Sequence, residues 1–237
     1  MAQHTTTAFD ADLRDLGAAI VDMGVRAQKQ IVDAFDALTK GDLKLAHSVR
    51  AADATVDALQ QDIEIKAIGT IARRQPLAVD LREIVGALRI ATDLERIGDL
   101  AVNIAKRAEQ LGDEKWADEI TIALRSMTER VLGQLRHVID SYGRRDPAEA
   151  LEVWKSDEEV DALHNSIFRQ LLTYMMEDPG NISLGMHLLF CAKNIERIGD
   201  HTTNIAESVH YIVQGGMIPG ERPKISGIPT GNPQSYH

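Results

Sequence analysis

The chain contains an internal duplication, and this feature limits its possible folds more than any other. The pentapeptide Glu-Arg-Ile-Gly-Asp occupies residues 95–99 and returns unchanged at 196–200, and both copies continue three residues later into Asn-Ile-Ala. A second pattern, Asp-x-x-Val-Asp-Ala-Leu, stands at 53–59 and again at 157–163. Two copies in the same order predict two structural units of similar fold.

The duplication divides the 237 residues into two halves, each long enough to bury a hydrophobic core. We place the first repeat at residues 1–112 and the second at residues 113–216. After these, proline and glycine become frequent and apolar residues become sparse. Such a composition predicts a flexible C-terminal tail at residues 217–237.

The composition favours helices over strands. Aromatic residues make up 4% of the chain and apolar residues 44%, mostly Ala, Leu, Ile and Val, which suit close-packed helices. Glycine and proline breaks leave six segments of roughly thirty residues without internal proline. Because the connections are short, consecutive helices must lie antiparallel. The sequence therefore predicts an all-α fold of six long helices that form two tandemly repeated antiparallel three-helix bundles.

Charge and targeting signals narrow the choice of partners. The formal net charge of −10 and the lack of a basic stripe argue against nucleic-acid binding. A single cysteine, Cys191, excludes an internal disulfide framework, and its match to Ile90 in the repeat predicts a buried core thiol. No signal peptide or membrane-spanning segment is visible. We expect a cytoplasmic protein without direct membrane insertion, with peripheral attachment to the inner membrane through partners left open.

Each half carries two acidic pairs with i,i+4 spacing, on two different helical segments. We call the four carboxylates of the first half the first acidic cluster, and those of the second half the second acidic cluster. On a helical wheel these side chains project from, or stand beside, apolar stripes, where like charges are costly without compensation. A positive group should therefore lie among them. The clusters are Asp53, Asp57, Glu95 and Asp99, and Asp157, Asp161, Glu196 and Asp200.

Lysine or arginine from a neighbouring helix could supply that positive charge, and so could a metal ion. The occurrence of four acidic pairs in repeat register favours metal. Because the donors are all oxygens, we expect a hard divalent or trivalent cation, such as Mg, Mn, Ca or carboxylate-bound Fe, rather than Zn. The residues expected next to the ligands are Asn103, Asn204, Arg96 and Arg197.

Gly98 and Gly199, each inside an acidic motif, have two interpretations. Glycine inside a helix costs about 1 kcal/mol relative to alanine, so its presence needs a reason. One reason is plain helix packing, and the other is room for a backbone or an ion beside the carboxylates. The same wheels predict the solvent-exposed residues of the third and sixth helices, which are Arg82, Arg89, Asp93 and Arg96, and Asn194, Arg197 and His201.

No motif indicates catalysis. Phosphate-binding loops, nucleophile elbows and dinucleotide fingerprints are absent from the sequence. The histidines without a repeat partner are predicted to be surface or packing residues. The acidic clusters favour a metal-binding adaptor protein without catalytic activity. Two alternatives stay open: a carboxylate-bridged metal-dependent hydrolase or oxidase, and a purely structural helical adaptor that binds no metal. These histidines are His47, His137, His164 and His187.

The chain resembles the PhoU family of phosphate-signalling regulators over roughly residues 8 to 214. The resemblance rests on the stretch Ala-Arg-Arg-Gln-Pro-Leu-Ala-Val-Asp-Leu-Arg at 72–82 and on the doubled Glu-Arg-Ile-Gly-Asp motif. It implies two three-helix bundles and metal clusters bound by Glu/Asp-x-x-x-Asp motifs, which match the eight carboxylates of the two acidic clusters. The second repeat is shortened at 181–185 relative to 79–83, so the two sites are expected to differ.

The resemblance also implies a function without enzymatic activity. A member of this family would negatively regulate the phosphate-starvation response and phosphate uptake. It would couple the ATPase subunit of a phosphate ABC transporter to a phosphate-sensing histidine kinase. From the residues themselves we add the expectation of a homodimer, because long bundles of this kind carry apolar surface on more than one face.

Overall fold

The computed structural model describes the backbone of residues 2–220 and 222, and side chains from residue 9 onward. This part of the chain is helical with no strands, as predicted, and none of its helices is long and apolar enough to cross a membrane. Most of the proposed tail, 217–237, lies outside the described residues. The helices are α1 Ala2–Lys40, α2 Leu43–Arg74, α3 Val79–Leu111, α4 Asp118–Arg144, α5 Pro147–Lys155, α6 Asp157–Glu177 and α7 Ile182–Gln214, with a 3₁₀ turn at Pro179–Asn181.

The helices begin and end at the breaks predicted from the sequence, which are 41–42, 75–76, 112–113, 143–147, 178–181 and 215–216. Asp42 caps α2 by accepting a hydrogen bond from the backbone N–H of Leu45 (3.0 Å). Asp146 caps α5 in the same way, and Pro147 occupies the first turn. At its other end α7 terminates in Gly215, whose φ of 79° is accessible to glycine at little cost.

The fifth predicted segment is divided by a break at Ser156. The Ser156 hydroxyl donates to the carbonyl of Val153 (2.8 Å), and its backbone N–H bonds to the carbonyls of both Glu152 and Val153. Serine side chains compete in this way with regular helical bonding. The six predicted segments are confirmed, but one of them consists of α5 and α6. In the first repeat α2 runs without interruption through Ala52.

Helices α1 to α3 form one bundle and α4 to α7 the other, and the two bundles share a long interface. Helix α3 packs along α7, and α1 packs against α4. Buried apolar side chains of both halves belong to one continuous core. Gly86 of α3 allows this close approach, because a Cβ atom at that position would collide with Ile212 of α7. The two repeats therefore pack as one body with a shared core.

Polar contacts also join the two bundles. Asp93 of α3 pairs with His201 of α7 (Oδ1 to Nδ1, 2.8 Å) and accepts a hydrogen bond from Asn204 (3.3 Å). At another point Arg145 pairs with the largely buried Glu83. The prediction that Asp93 and His201 face solvent was therefore wrong. A wheel drawn for one helix cannot show which of its polar residues contact the other repeat.

Candidate functional site

The first acidic cluster forms where α2 and α3 pack together. Burial raises the pKa of Asp53, and the negative charges of Asp57 and Asp99 raise it further. Burial likewise raises the pKa of Glu95, reinforced by Asp99 and opposed by Arg96. Mutual effects of this kind require the carboxylates to be close in a partly desolvated place. The structure thus places the four predicted carboxylates of the first half close enough to influence one another.

Positive charge near this cluster is incomplete. Arg96 lies 3.4 Å from Glu95 and 3.0 Å from Asp99, but 55% of its side chain is exposed, so solvent weakens its attraction. Lys106 donates to Asn103 (3.4 Å) and has only a minor effect on Asp53. Among the described residues, one exposed arginine and a weakly acting lysine therefore face four carboxylates.

A buried amide from α1 completes the surroundings of the first acidic cluster. Gln30 is 3% exposed, and neither its amide nitrogen nor its amide oxygen forms a hydrogen bond of normal geometry in the described part of the chain, although the amide lies near enough to Asp53 to lower the pKa of that carboxyl. A Cβ atom placed on Gly98 would lie 3.0 Å from Gln30 Oε1 and 3.6 Å from Asp53 Oδ1. Gly98 therefore makes room for a polar side chain beside the carboxylates.

Gly199, the counterpart of Gly98, serves the other purpose proposed for these glycines. A Cβ atom there would lie 3.2 Å from Val160 Cγ1 and 3.6 Å from Val131 Cγ2. Its neighbours are apolar side chains, so this glycine permits close helix packing. The two copies of one motif thus use the same residue type for different reasons.

Gln30 was missed in the sequence, although the repeat carries a signal for it. The shift of 104 positions that relates Asp53 to Asp157 also relates Gln30 to Gln134 and Ala52 to Ser156. In the second half Gln134 donates to the carbonyl (3.0 Å) and the hydroxyl (2.8 Å) of Ser156. Alanine has no hydroxyl to offer in the first half. The unpartnered amide is therefore specific to the first repeat.

The second acidic cluster is arranged around an arginine. The Asp157 side chain, 4% exposed, accepts a hydrogen bond from the Thr203 hydroxyl (2.9 Å) and two from Arg222 (2.7 and 2.9 Å). The same guanidinium contacts Asp200 (2.8 Å) and Asn204 (3.4 Å). Burial lowers the pKa of Arg222, but its carboxylate partners outweigh this, so the net shift is upward.

The set predicted for the second half also includes Glu196, Asp161 and Arg197. Glu196 pairs with Lys193 (2.6 Å) and neighbours His164, whose pKa is lowered by burial despite the carboxylate. Asp161 is half-buried one turn after Asp157, and Arg197 is exposed. In the second half, therefore, Lys193 supplies an ammonium group and Arg222 a guanidinium group where the sequence favoured a metal ion.

The prediction of a buried core thiol is confirmed by the structure. Cys191 is fully buried, and burial raises the pKa of its thiol to about 12, as expected for a core residue.

Among the described residues, no three Asp, Glu, His or Cys side chains form an arrangement that could hold a metal ion as it stands. A cation in the first acidic cluster would have to draw its carboxylates together, and metal binding stays a prediction.

Comparison with known proteins connects this geometry to a family. A family model described as the PhoU domain matches residues 20–108 and 124–209. A phosphate-specific transport system accessory protein PhoU homolog from Rhizobium meliloti (strain 1021) is 49% identical over 221 residues, which are 93% of each chain. A homolog of the same description from Caulobacter vibrioides (strain NA1000 / CB15N) is 46% identical over 225 residues, 95% of this chain and 98% of that one.

Solved structures agree with this assignment. The crystal structure of PhoU from Pseudomonas aeruginosa matches with a TM-score of 0.84 and 38% identity, over 88% of this chain and 100% of that chain. The phosphate transport system regulatory protein PhoU from Streptococcus pneumoniae matches with a TM-score of 0.82 and 25% identity, over 89% and 99%. One matched family segment falls in each half, so the duplicated unit is a PhoU domain, and the chain belongs to the PhoU family.

Proposed function

We propose that the protein is a cytoplasmic, non-enzymatic regulator of phosphate homeostasis that binds a metal ion in its first acidic cluster. In this role it negatively regulates phosphate uptake and the phosphate-starvation response. The names of its relatives support the phosphate connection, since they are described as accessory or regulatory proteins of phosphate transport. Its proposed partners are the ATPase subunit of a phosphate ABC transporter, a phosphate-sensing histidine kinase and a second copy of the chain.

The surroundings of the first acidic cluster carry the metal proposal. Burial and the neighbouring carboxylates raise the pKa of Asp53 and Glu95, and the nearby cations only partly offset this. The buried amide of Gln30 stands beside them without a hydrogen bond of normal geometry. Carboxylate and amide oxygens are the donors that hard cations prefer, so Mn, Mg or carboxylate-bound Fe suits them better than Zn. A bound cation would neutralise the carboxylates and tie α1, α2 and α3 together.

Elemental analysis tests the metal proposal. Protein purified without chelator should contain metal, and the paired substitution Glu95→Gln and Asp99→Asn should remove it. The matched control is Asp118→Asn with Glu119→Gln, an exposed pair on α4 that leaves the cluster intact. Equal metal content in wild type and the first-cluster variant would refute the proposal. Mn²⁺, Mg²⁺ and Fe added separately to stripped protein would identify the preferred ion.

A cellular assay tests regulation. In a strain lacking the protein, phosphate uptake and a phosphate-starvation reporter should be elevated, and the wild-type chain should repress both. If metal binding supports regulation, the first-cluster variant should repress poorly while the control variant represses normally. Co-purification with the transporter ATPase and the kinase, together with the mass in solution, tests the proposed partners. Failure of the wild-type chain to repress would contradict the regulatory proposal.

A further inference from the structure

Asp157 and Asp200 of the second acidic cluster pair with a residue outside both repeats. We propose that Arg222 is a built-in ligand of this cluster, which fastens the chain beyond α7 to α6 and takes the position that a cation would otherwise occupy. Only the statement about a cation rests on the proposed function. The fastening itself stands on the contacts of Arg222 alone.

The geometry of Arg222 is that of a specific arginine site. Its Nε and Nη2 atoms bond to the two different carboxylate oxygens of Asp157, at 2.7 and 2.9 Å. Such fork-like pairing uses the planar guanidinium in a way that lysine cannot reproduce. Nη2 also reaches Asp200 at 2.8 Å, so one side chain connects α6 with α7.

Because the contacts between Arg222 and Asp157 are buried, they should matter for the stability of the fold. The side chains of Asp157 and Arg222 are only 4% and 18% exposed, so neither charge is well solvated. When one partner of such a pair is removed, the other charge remains buried without compensation. The pair should therefore contribute to stability far more than the exposed ion pairs elsewhere on the molecule.

The first repeat lacks the same arrangement, which explains why the two clusters would behave differently. The counterpart of Thr203, which donates to Asp157, is the apolar Val102 in the first repeat. Among the described residues, the first acidic cluster forms ion pairs with Arg96, which is half exposed and comes from the same helix as its partners, and Lys106 adds only a minor effect on Asp53. The second cluster is thus supplied with an internal cation, whereas the first is left to bind one from solution.

Thermal unfolding in the presence of chelator tests the fastening without metal. Arg222→Gln should lower Tm by roughly 5–10 °C, and Arg222→Lys by less, because charge is kept while the fork is lost. The double variant with Asp157→Asn should be more stable than Arg222→Gln alone, because it no longer leaves the Asp157 carboxylate buried without a partner. The control Arg136→Gln, an exposed site on α4, should leave Tm unchanged. An Arg222→Gln protein as stable as this control would overturn the inference.

A titration with Mn²⁺ tests whether Arg222 takes the place of a bound cation. The unbound ion is measured by its electron paramagnetic resonance signal. Arg222→Gln should bind one equivalent more than wild type, and adding Asp157→Asn should remove the extra equivalent. Equal stoichiometry in wild type and Arg222→Gln would overturn this part of the inference. Binding by wild type itself is a separate result that concerns the first cluster. A wild type that binds no Mn²⁺ would count against the proposed function, while the difference between the proteins would still decide the role of Arg222.

Discussion

Gln30 shows how a single buried residue can point to a candidate site. A buried amide without a hydrogen-bond partner costs about 1–3 kcal/mol, and an apolar residue of similar shape would remove this penalty. Gln30→Met should therefore raise the free energy of unfolding of the metal-free protein by about 1 kcal/mol. The same change removes an oxygen donor, so we expect weaker Mn²⁺ binding. Urea unfolding in chelator and a Mn²⁺ titration measure the two effects.

The repeat provides a matched control for this prediction. Gln134 is the counterpart of Gln30, but its amide is bonded twice to Ser156. Gln134→Met loses these bonds and should lower the free energy of unfolding by about 1–2 kcal/mol. If both substitutions destabilise the metal-free protein equally, the amide of Gln30 is satisfied after all, and its proposed role fails.

The sequence predicted the carboxylates but not their companions. Asp53 and Glu95 could be found because the acidic motifs repeat and interrupt apolar stripes. Gln30 is a lone polar residue on a long helix, and only the extended repeat register distinguishes it. Arg222 lies outside the repeat, so no internal comparison could relate it to Asp157. Residues that contact the site from a neighbouring helix or a distant segment produce no regular spacing in the sequence, so a search for motifs does not find them.

At the scale of elements, the α2–α3 contact predicts an unusual pH dependence. Burial raises the pKa of Asp53 and Glu95 above their ordinary values of 3.8 and 4.5. Between the ordinary and the raised pKa values, these two carboxyl groups therefore hold protons in the folded metal-free protein and release them in the unfolded chain. The stability contributed by these groups is complete below the ordinary pKa values and is lost as pH rises through the raised ones.

Asp53→Asn should accordingly stabilise metal-stripped protein at neutral pH, and the gain should vanish near pH 4. Urea unfolding at a series of pH values measures this difference. Asp157→Asn, the matching change in the second repeat, should instead destabilise, because Asp157 is paired with Arg222. A gain from Asp53→Asn that persists unchanged at acid pH would contradict the assignment to this carboxylate.

Helix packing supplies a prediction with opposite signs at two glycines. A Cβ atom at Gly86 would collide with Ile212, whereas one at Gly133 of α4 would meet nothing within 4 Å. Overpacking costs about 1–3 kcal/mol, and replacing a helical glycine by alanine gains up to about 1 kcal/mol. Gly86→Ala should thus lower the free energy of unfolding, and Gly133→Ala should raise it. Chemical denaturation of both variants checks the contrast, and a gain at both positions would refute the close α3–α7 contact.

Element boundaries followed local chemistry, and so the sequence predicted most of them. Caps such as Asp42 and Asp146 act on their immediate neighbours and can be read directly. The break at Ser156 was missed because the apolar pattern continues through it. Its backbone geometry is stabilised partly by Gln134 of α4, a contact between helices that no single-segment pattern contains.

For the whole molecule, the repeat predicted two bundles but not how they meet. Asp93 and His201 were assigned to solvent because each helix was considered alone, yet they join the halves. The same polar residue can face water or another bundle without any change in periodicity. The mutual orientation of two repeats depends on surface complementarity, which is absent from the pattern of either one.

The shared interface predicts that the two repeats unfold together. One apolar core extends through both bundles, and α3 and α7 cover each other's buried faces. Separating the bundles would expose Ile212 and leave Glu83 without Arg145. This exposure makes a state with one folded half unfavourable, so we expect a single calorimetric transition whose van't Hoff and calorimetric enthalpies agree. Gly86→Ala, which strains the interface, should move the whole transition to lower temperature without splitting it, and two resolved transitions in the wild-type protein would show that the repeats are independent.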